Sequence, residues 1–593
     1  MGTISDKLMR IINTKEDIRQ ALISKGYDVP TSIPFKEYAK MILDLPCKVD
    51  SFPDIEGIVA RYSASGLTNE QMAANPVWVD KTGNGHDLQM KNFFWGGMSG
   101  VGGYVDNWNS SADWAVNSYW VNSHTDHKLQ FITASTVVQV KSKNVYNAEN
   151  VYKNILNVNG LTEAVNKGAV SSLEIFVTDS ITSKVIKIFS FETDGVIQIS
   201  FDDVLQDYYV NYFVTGNNTN DIDITIEQLP LYPGALVFDG VDDWAGCDNL
   251  PLLPKEKGYS IIALRNWITR YDATRYKRPL ISNLDTNDEG AFLIEYRKDE
   301  NVNDVTGSYN SFTDVYIDDN NPITWQTSSS YNGQIIKKGT SKSTNKLCIC
   351  KTYFGQLSNY ANAAIWEIVI LDHDATEEEL TKIKDYFVKT YPWLFPDQAW
   401  TVTGKTNEDE DRATIANITG NGNDLVLSNF GFAEGSGYNE EGEYAGYLVT
   451  DGVDDMITSS AFNIGKDFTI VGDWKFIDNK KSGTGLVKGS SFYIYNTMIR
   501  LDLYINSGSV KNSLDGIKSI NAACSDGRAY DRNWNEILAN TGNVVGSGGI
   551  LEVSSSGGRF DRIAFKNLAI YPRILSKDDC IKAYNYLQTL KSK

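Results

Sequence analysis

Two runs of the sequence concentrate carboxylates: Asp239-Gly240-Val241-Asp242-Asp243 and Asp451-Gly452-Val453-Asp454-Asp455. Each sits inside a longer shared phrase, LVFDGVDDW from Leu236 to Trp244 and LVTDGVDDM from Leu448 to Met456. Carboxylate oxygens at this density suit a hard cation such as Ca²⁺, which takes six to eight oxygen ligands, so other loops would have to complete the shell. The same residues suit a tight turn, because Gly accepts positive φ and Asp accepts hydrogen bonds from backbone amides just downstream. Both readings stand at this stage. A second chemistry is sugar recognition, which relies on flat aromatic faces beside amide and carboxylate groups. The stretch from Asp106 through Trp108 and Trp114 to Trp120 is the richest of this kind, with Trp95 and Trp244 as further candidates.

For hydrolysis the chain offers less. A glucanase would need a pair of carboxylates on one sheet face, but Glu367 stands alone in AIWEIVIL, and the residues after Glu295 in FLIEYRKDE break the strand pattern. His86, His124, His127 and His373 supply no triad, and His124-Thr125-Asp126-His127 reads as a solvated loop more readily than as a zinc site. The expectation is a protein that is not an enzyme and requires no cofactor, with Ca²⁺ as the one candidate ion.

The elements that must position these residues belong to a chain of 593 residues with a net charge of −20, too long for one core. That charge disfavours nucleic acid and anionic lipid as partners. No stretch approaches the roughly 18 uninterrupted apolar residues of a membrane span. Six scattered cysteines read as reduced core thiols, which points to folding in a reducing cytoplasm.

Residues 1–50 read as short helices that attach or oligomerise the chain. Ile4, Leu8, Ile11 and Ile12 share one helical face, and Ile18 and Leu22 point inward from a second helix. From Ser51 onward, β-branched and aromatic residues alternate with polar ones between Gly, Asn and Asp. Internal repeats then order the chain. Thr82-Gly83-Asn84-Gly85-His86-Asp87-Leu88 matches Thr419-Gly420-Asn421-Gly422-Asn423-Asp424-Leu425, and the DGVDD phrase follows in both copies. A closing strand and helix end each copy, capped by Thr376 with Glu379 and by Ser576 with Asp579. The first copy holds roughly 125 additional residues between Gly83 and Gly240, the size of an inserted domain at a loop tip. The expected organisation is a helical anchor at 1–50, a discontinuous β-sandwich at 51–104 and 232–395, an inserted β-sandwich at 105–231, and a second copy at 396–593. Tyr391-Pro392-Trp393-Leu394-Phe395-Pro396 should form a semi-rigid junction.

These landmarks resemble the concanavalin-like or laminin-G-like lectin and glucanase superfamily. The resemblance implies two antiparallel sheets packed face to face, with a concave face or loop rim that often binds sugars or calcium. The chain departs from the catalytic members in lacking their Glu-x-Asp-x-(x)-Glu run. The N-terminal phrase KLMRIINTKEDIRQALISKGYDVP, followed by PFKEYAKMI, resembles the starts of structural proteins of tailed bacteriophages, particularly gut phages of Bacteroides-like hosts. Together the two imply a head or tail fibre on the phage particle surface. It would fold in host cytoplasm, join other virion proteins through its helices, assemble as a trimer or dimer, and adhere to cell-surface glycans. The rival readings are a bacterial glycan-binding surface protein and a degenerate glycoside hydrolase.

Overall fold

The computed structural model describes residues 52–592 apart from short internal segments, the longest being 298–312 and 539–547, together with Lys15. The proposed anchor residues Ile4, Leu8, Ile11, Ile12, Ile18 and Leu22 lie outside the described residues. The chain divides into Met1–Asp54 and Ile55–Lys593, and every strand described belongs to the latter unit. No described helix is long and apolar enough to cross a membrane.

Nearly all strands are antiparallel, as the alternating sequence predicts, and they form three two-layer sandwiches. In the first, Asn362–Leu371 is the central strand of a six-stranded sheet. Ser260–Trp267 pairs along one side of it, while Ile58–Ser63 and Leu236–Asp239 share the other. Nine of its ten residues are buried because both of its faces are covered. The facing sheet has eight strands, among them Leu88–Lys91, Trp244–Cys247 and Lys277–Ser282, and its Phe292–Arg297 pairs in parallel with Thr313–Tyr316. Ile261, Ala263 and Ile368 from one sheet meet Leu280, Ile294 and Ile349 from the other in a single core.

The second copy repeats this plan. Its central strand Arg562–Tyr571 is flanked by Thr469–Asp478 on one side, and by Gln398–Thr401 and Tyr447–Val449 on the other. Trp400, Ile457, Ile470, Leu551 and Phe565 fill its core. Thr484–Lys488 and Phe492–Thr497 form a hairpin in its second sheet.

Strands between 114 and 228 pair only with one another among the described residues, as two five-stranded sheets. Their core contains Trp108, Leu129, Leu173, Tyr212 and Ile226. The incoming and outgoing chain run side by side: Leu231 N–H donates to Gly103 O at 2.9 Å, and Tyr232 N–H to Gly102 O at 2.8 Å. A loop tip whose two ends lie this close accepts an insertion without disturbing the sheet beneath it. Asp126 ties the joint further, accepting from Asn69 Nδ2 at 2.9 Å and meeting His127 Nδ1 at 2.8 Å, while Tyr104 stacks on the His127 ring at 4.6 Å. His127 is therefore part of a packed joint, which corrects its reading as a solvated loop residue.

The first closing helix, Glu377–Thr390, begins with a full capping box between Thr376 and Glu379. Such a cap satisfies two amides that the first turn leaves without intrahelical partners. The second, Lys577–Thr589, starts at Ser576, whose side chain accepts from Asp579 N–H. Its buried face is broader than one sandwich requires: Cys580, Ala583, Tyr584, Asn585, Tyr586 and Leu587 are all buried. Tyr586 meets Trp366 of the first sandwich edge-on at 6.4 Å, Asn585 Nδ2 donates to Pro230 O at 3.4 Å, and Lys582 Nζ lies 4.4 Å from the Trp393 ring. The helix is thus shared between the repeats. The Tyr391–Pro396 junction is pinned as well, with Tyr571 OH donating to Trp393 O at 2.9 Å, and Arg573 Nη1 donates to Val388 O of the first closing helix at 3.1 Å.

Candidate functional site

The repeated carboxylate phrase folds the same way twice. Asp239 Oδ1 accepts the backbone N–H of Val241 at 2.7 Å, and those of Asp242 and Asp243 at 3.3 Å. Asp243 Oδ2 closes the loop by accepting Asp239 N–H at 3.1 Å. In the second copy Asp451 Oδ1 accepts from Val453 at 2.7 Å and Asp454 at 3.3 Å, and Asp455 Oδ2 accepts Asp451 N–H at 2.7 Å. Gly240 at φ +75° lies against Asn362, whose backbone N would sit 2.9 Å from an added Cβ, so the turn needs glycine for both conformation and space. Supporting loops are duplicated too: Asn92 and Asn429, both at φ +69°, donate from Nδ2 to Asp242 O and Asp454 O at 3.0 Å. The phrase is a piece of scaffold that bridges two loops in each sandwich.

What remains for a cation is smaller. Asp239, Asp242 and Asp243 each offer a ligand atom within 4.8 Å of the others, as do Asp451, Asp454 and Asp455. Asp243 is fully buried, and its Oδ1 has no hydrogen-bond partner. Burial, reinforced by the Asp239 charge, pushes its carboxyl up to about 8, and burial pushes that of Asp455 up to about 6. A bound divalent cation would reverse that cost, but three carboxylate oxygens cover only half of a Ca²⁺ shell.

The aromatic candidates separate. Trp108 and Trp114 are core residues, 1% and 3% exposed, and both pack against Tyr212. This corrects their reading as a sugar platform: the strands around them close a second sheet over the rings. Trp120 lies outside the described residues. Trp95, at φ +53°, stacks on Phe93 at 4.7 Å and packs against the first core. Trp244 carries the Lys351 ammonium 3.9 Å from its ring centroid and the Phe354 ring edge-on at 5.7 Å, so neighbouring side chains already occupy much of its surface. The structure does not gather these five residues into one site.

Two buried polar networks escaped the sequence reading. In the insertion, Asp106 accepts from Tyr152 OH and from Asn154 Nδ2 at 3.0 Å, and Tyr152 OH meets Tyr212 OH. Burial pushes the Asp106 carboxyl up to about 7 despite these bonds. A carboxyl raised above its ordinary value of about 3.9 holds a proton in the folded state over a range where the unfolded chain has released it. Its stabilising contribution is complete below about pH 4 and is lost as pH rises toward 7. The insertion is therefore expected to melt at progressively lower temperature from pH 4 to 7, by roughly 3 to 4 kcal/mol in stability, and Asp106→Asn should flatten that slope in calorimetry.

The other network joins Arg61 and Glu367 beneath the first closing helix. Arg61 Nε donates to Glu367 Oε2 at 3.2 Å, and the Tyr386 and Tyr391 hydroxyls donate to Oε1 at 3.1 and 2.9 Å. A single carboxylate in an otherwise apolar strand was the available signal, since a buried charge needs a partner.

No protein-family model matches the sequence, and no curated protein does. Among solved structures, Trypanosoma rangeli sialidase with the inhibitor DANA aligns at 8% identity and a TM-score of 0.24, over 78% of this chain and 82% of that one. The binding domain of botulinum neurotoxin serotype C1 aligns at 7% identity and a TM-score of 0.20, over 60% of this chain and 90% of that one. The first of these is an enzyme, and the expectation that this chain is not one does not stand. That expectation rested on a missing carboxylate run and on histidines that supply no triad, and neither excludes other classes of enzyme.

Proposed function

We propose that the chain is a virion structural protein, a head or tail fibre, that displays lectin-like sandwiches for adhesion to host or environmental glycans. The observation that carries this reading is the rigid coupling of the modules. One helix packs on both repeats, and the insertion is tied down at both of its ends. A body built this way holds several surfaces at fixed spacing, which suits multivalent attachment, where avidity adds factors of about 10² to 10⁴. In this reading residues 1–50 attach to other virion proteins and assemble the fibre as a trimer or dimer, and Ca²⁺ at the repeated turns would be an accessory. A gold-labelled antibody against residues 105–231 is expected to decorate fibres on phage particles, and undecorated particles from cells that make the protein would overturn the proposal. Adhesion measured in Ca²⁺ and in EDTA reads the accessory role.

A further inference from the structure

Between the two repeats lies a cleft of about 520 Å³, bounded by the first closing helix, the Tyr391–Pro396 junction and the strand end of the second sandwich. Its size suits a monosaccharide or disaccharide rather than a folded partner. Trp325 and Asn321 line it from the first sandwich, Lys384 from the helix, and Asn421 and Arg573 from the second sandwich.

Arg573 is the unusual group. It is half-buried, its described hydrogen bond runs to the Val388 carbonyl at 3.1 Å, and no described carboxylate forms an ion pair with it. Burial lowers its affinity for its proton, and the Tyr571 side chain offsets that only in part. A guanidinium drawn partly out of water without a counter-charge is costly, and a ligand carboxylate would satisfy it with two parallel, charge-assisted hydrogen bonds. Two carboxylates, Glu377 and Asp397, line the cleft against two cations, Lys384 and Arg573, and its amide groups suit a sugar. Asn421 spends its Nδ2 on Asp397 O at 2.7 Å, and Asn321 spends its Oδ1 on Ile323 N–H at 3.0 Å. That leaves one amide acceptor and one amide donor for hydroxyl groups, beside the half-buried Trp325 ring.

We infer that this cleft binds a carboxylate-bearing saccharide, with Arg573 holding the carboxylate. The inference rests on the adhesive reading above and names its ligand class. The chain's charge of −20 repels long polyanions, so the ligand is a short or sparsely charged sugar.

The test titrates galacturonate and galactose into the full chain by ligand-detected NMR, with acetate as a bare-anion competitor. Galacturonate should bind at least about 10-fold more tightly than galactose, the yield of one charged hydrogen-bonded pair. Arg573→Gln should abolish that ratio, Arg573→Lys should keep part of it, and Trp325→Ala should weaken both sugars while the ratio survives. Equal binding of the two sugars by the wild type would overturn the inference, as would a ratio preserved in Arg573→Gln. Acetate competing as well as galacturonate would reduce the cleft to an anion site and also refute the saccharide assignment. If Arg573→Gln fails to fold, the Trp325→Ala and acetate arms still decide the matter. A glycan array separates the two levels: binding to neutral glycans alone sinks the cleft and leaves adhesion standing, whereas binding to no glycan sinks both.

Discussion

Glu367→Ala is expected to destabilise the first sandwich by about 3–5 kcal/mol, the cost of leaving a buried cation without its partner. Glu367 is fully buried and Arg61 is 4% exposed, so neither can turn to solvent when the other is removed. Arg61 would keep the Tyr386 hydroxyl at 2.8 Å and the Tyr386 ring, whose centroid is 5.2 Å away, and neither carries the full negative charge that Glu367 supplies. The hydroxyls of Tyr386 and Tyr391 would lose their shared acceptor, which loosens the first closing helix from the sheet below. Replacing both charges together, Arg61→Met with Glu367→Leu, should cost far less, because no charge is then stranded. Thermal unfolding of the two variants measures the difference. Equal losses in the single and double variants would mean that packing, and not charge pairing, supports this layer.

The second large effect concerns the insertion. Trp108→Ala should cost about 3–5 kcal/mol, the usual range for removing a large aromatic side chain from a core. The Trp108 ring meets Tyr212 edge-on at 5.6 Å and Trp114 at 6.5 Å, so its removal opens a void in the core of the insertion. The loss should be confined to residues 105–231, because the strands of the two repeats pair without them. Limited proteolysis should therefore cut the insertion of the variant while both repeats resist. A variant that resists like the wild type, yet binds sugar less well, would restore Trp108 as a binding residue.

Both predictions concern residues whose roles the sequence conceals to different degrees. The repeat was legible because its devices are local. An Asp that accepts amides two to four residues downstream, a Gly at positive φ and a Thr that caps a helix with a Glu three residues on all leave fixed spacings in the chain. Strand alternation is local in the same sense, so the mainly β class could be read from residue types alone.

Tertiary structure decided the rest. Arg61 and Glu367 are 306 residues apart, and no spacing rule connects them. Trp108 and Trp114, candidates for a sugar platform in sequence, are core only because a second sheet closes over them. Arg573 follows the central strand of the second copy without distinction, and the cleft around it exists because one helix packs on two sandwiches. The physical reason is that hydrogen-bonded turns and caps form between near neighbours and are written in sequence separation. Burial and charge pairing depend on which distant surface covers a residue, and that is settled only when the layers pack.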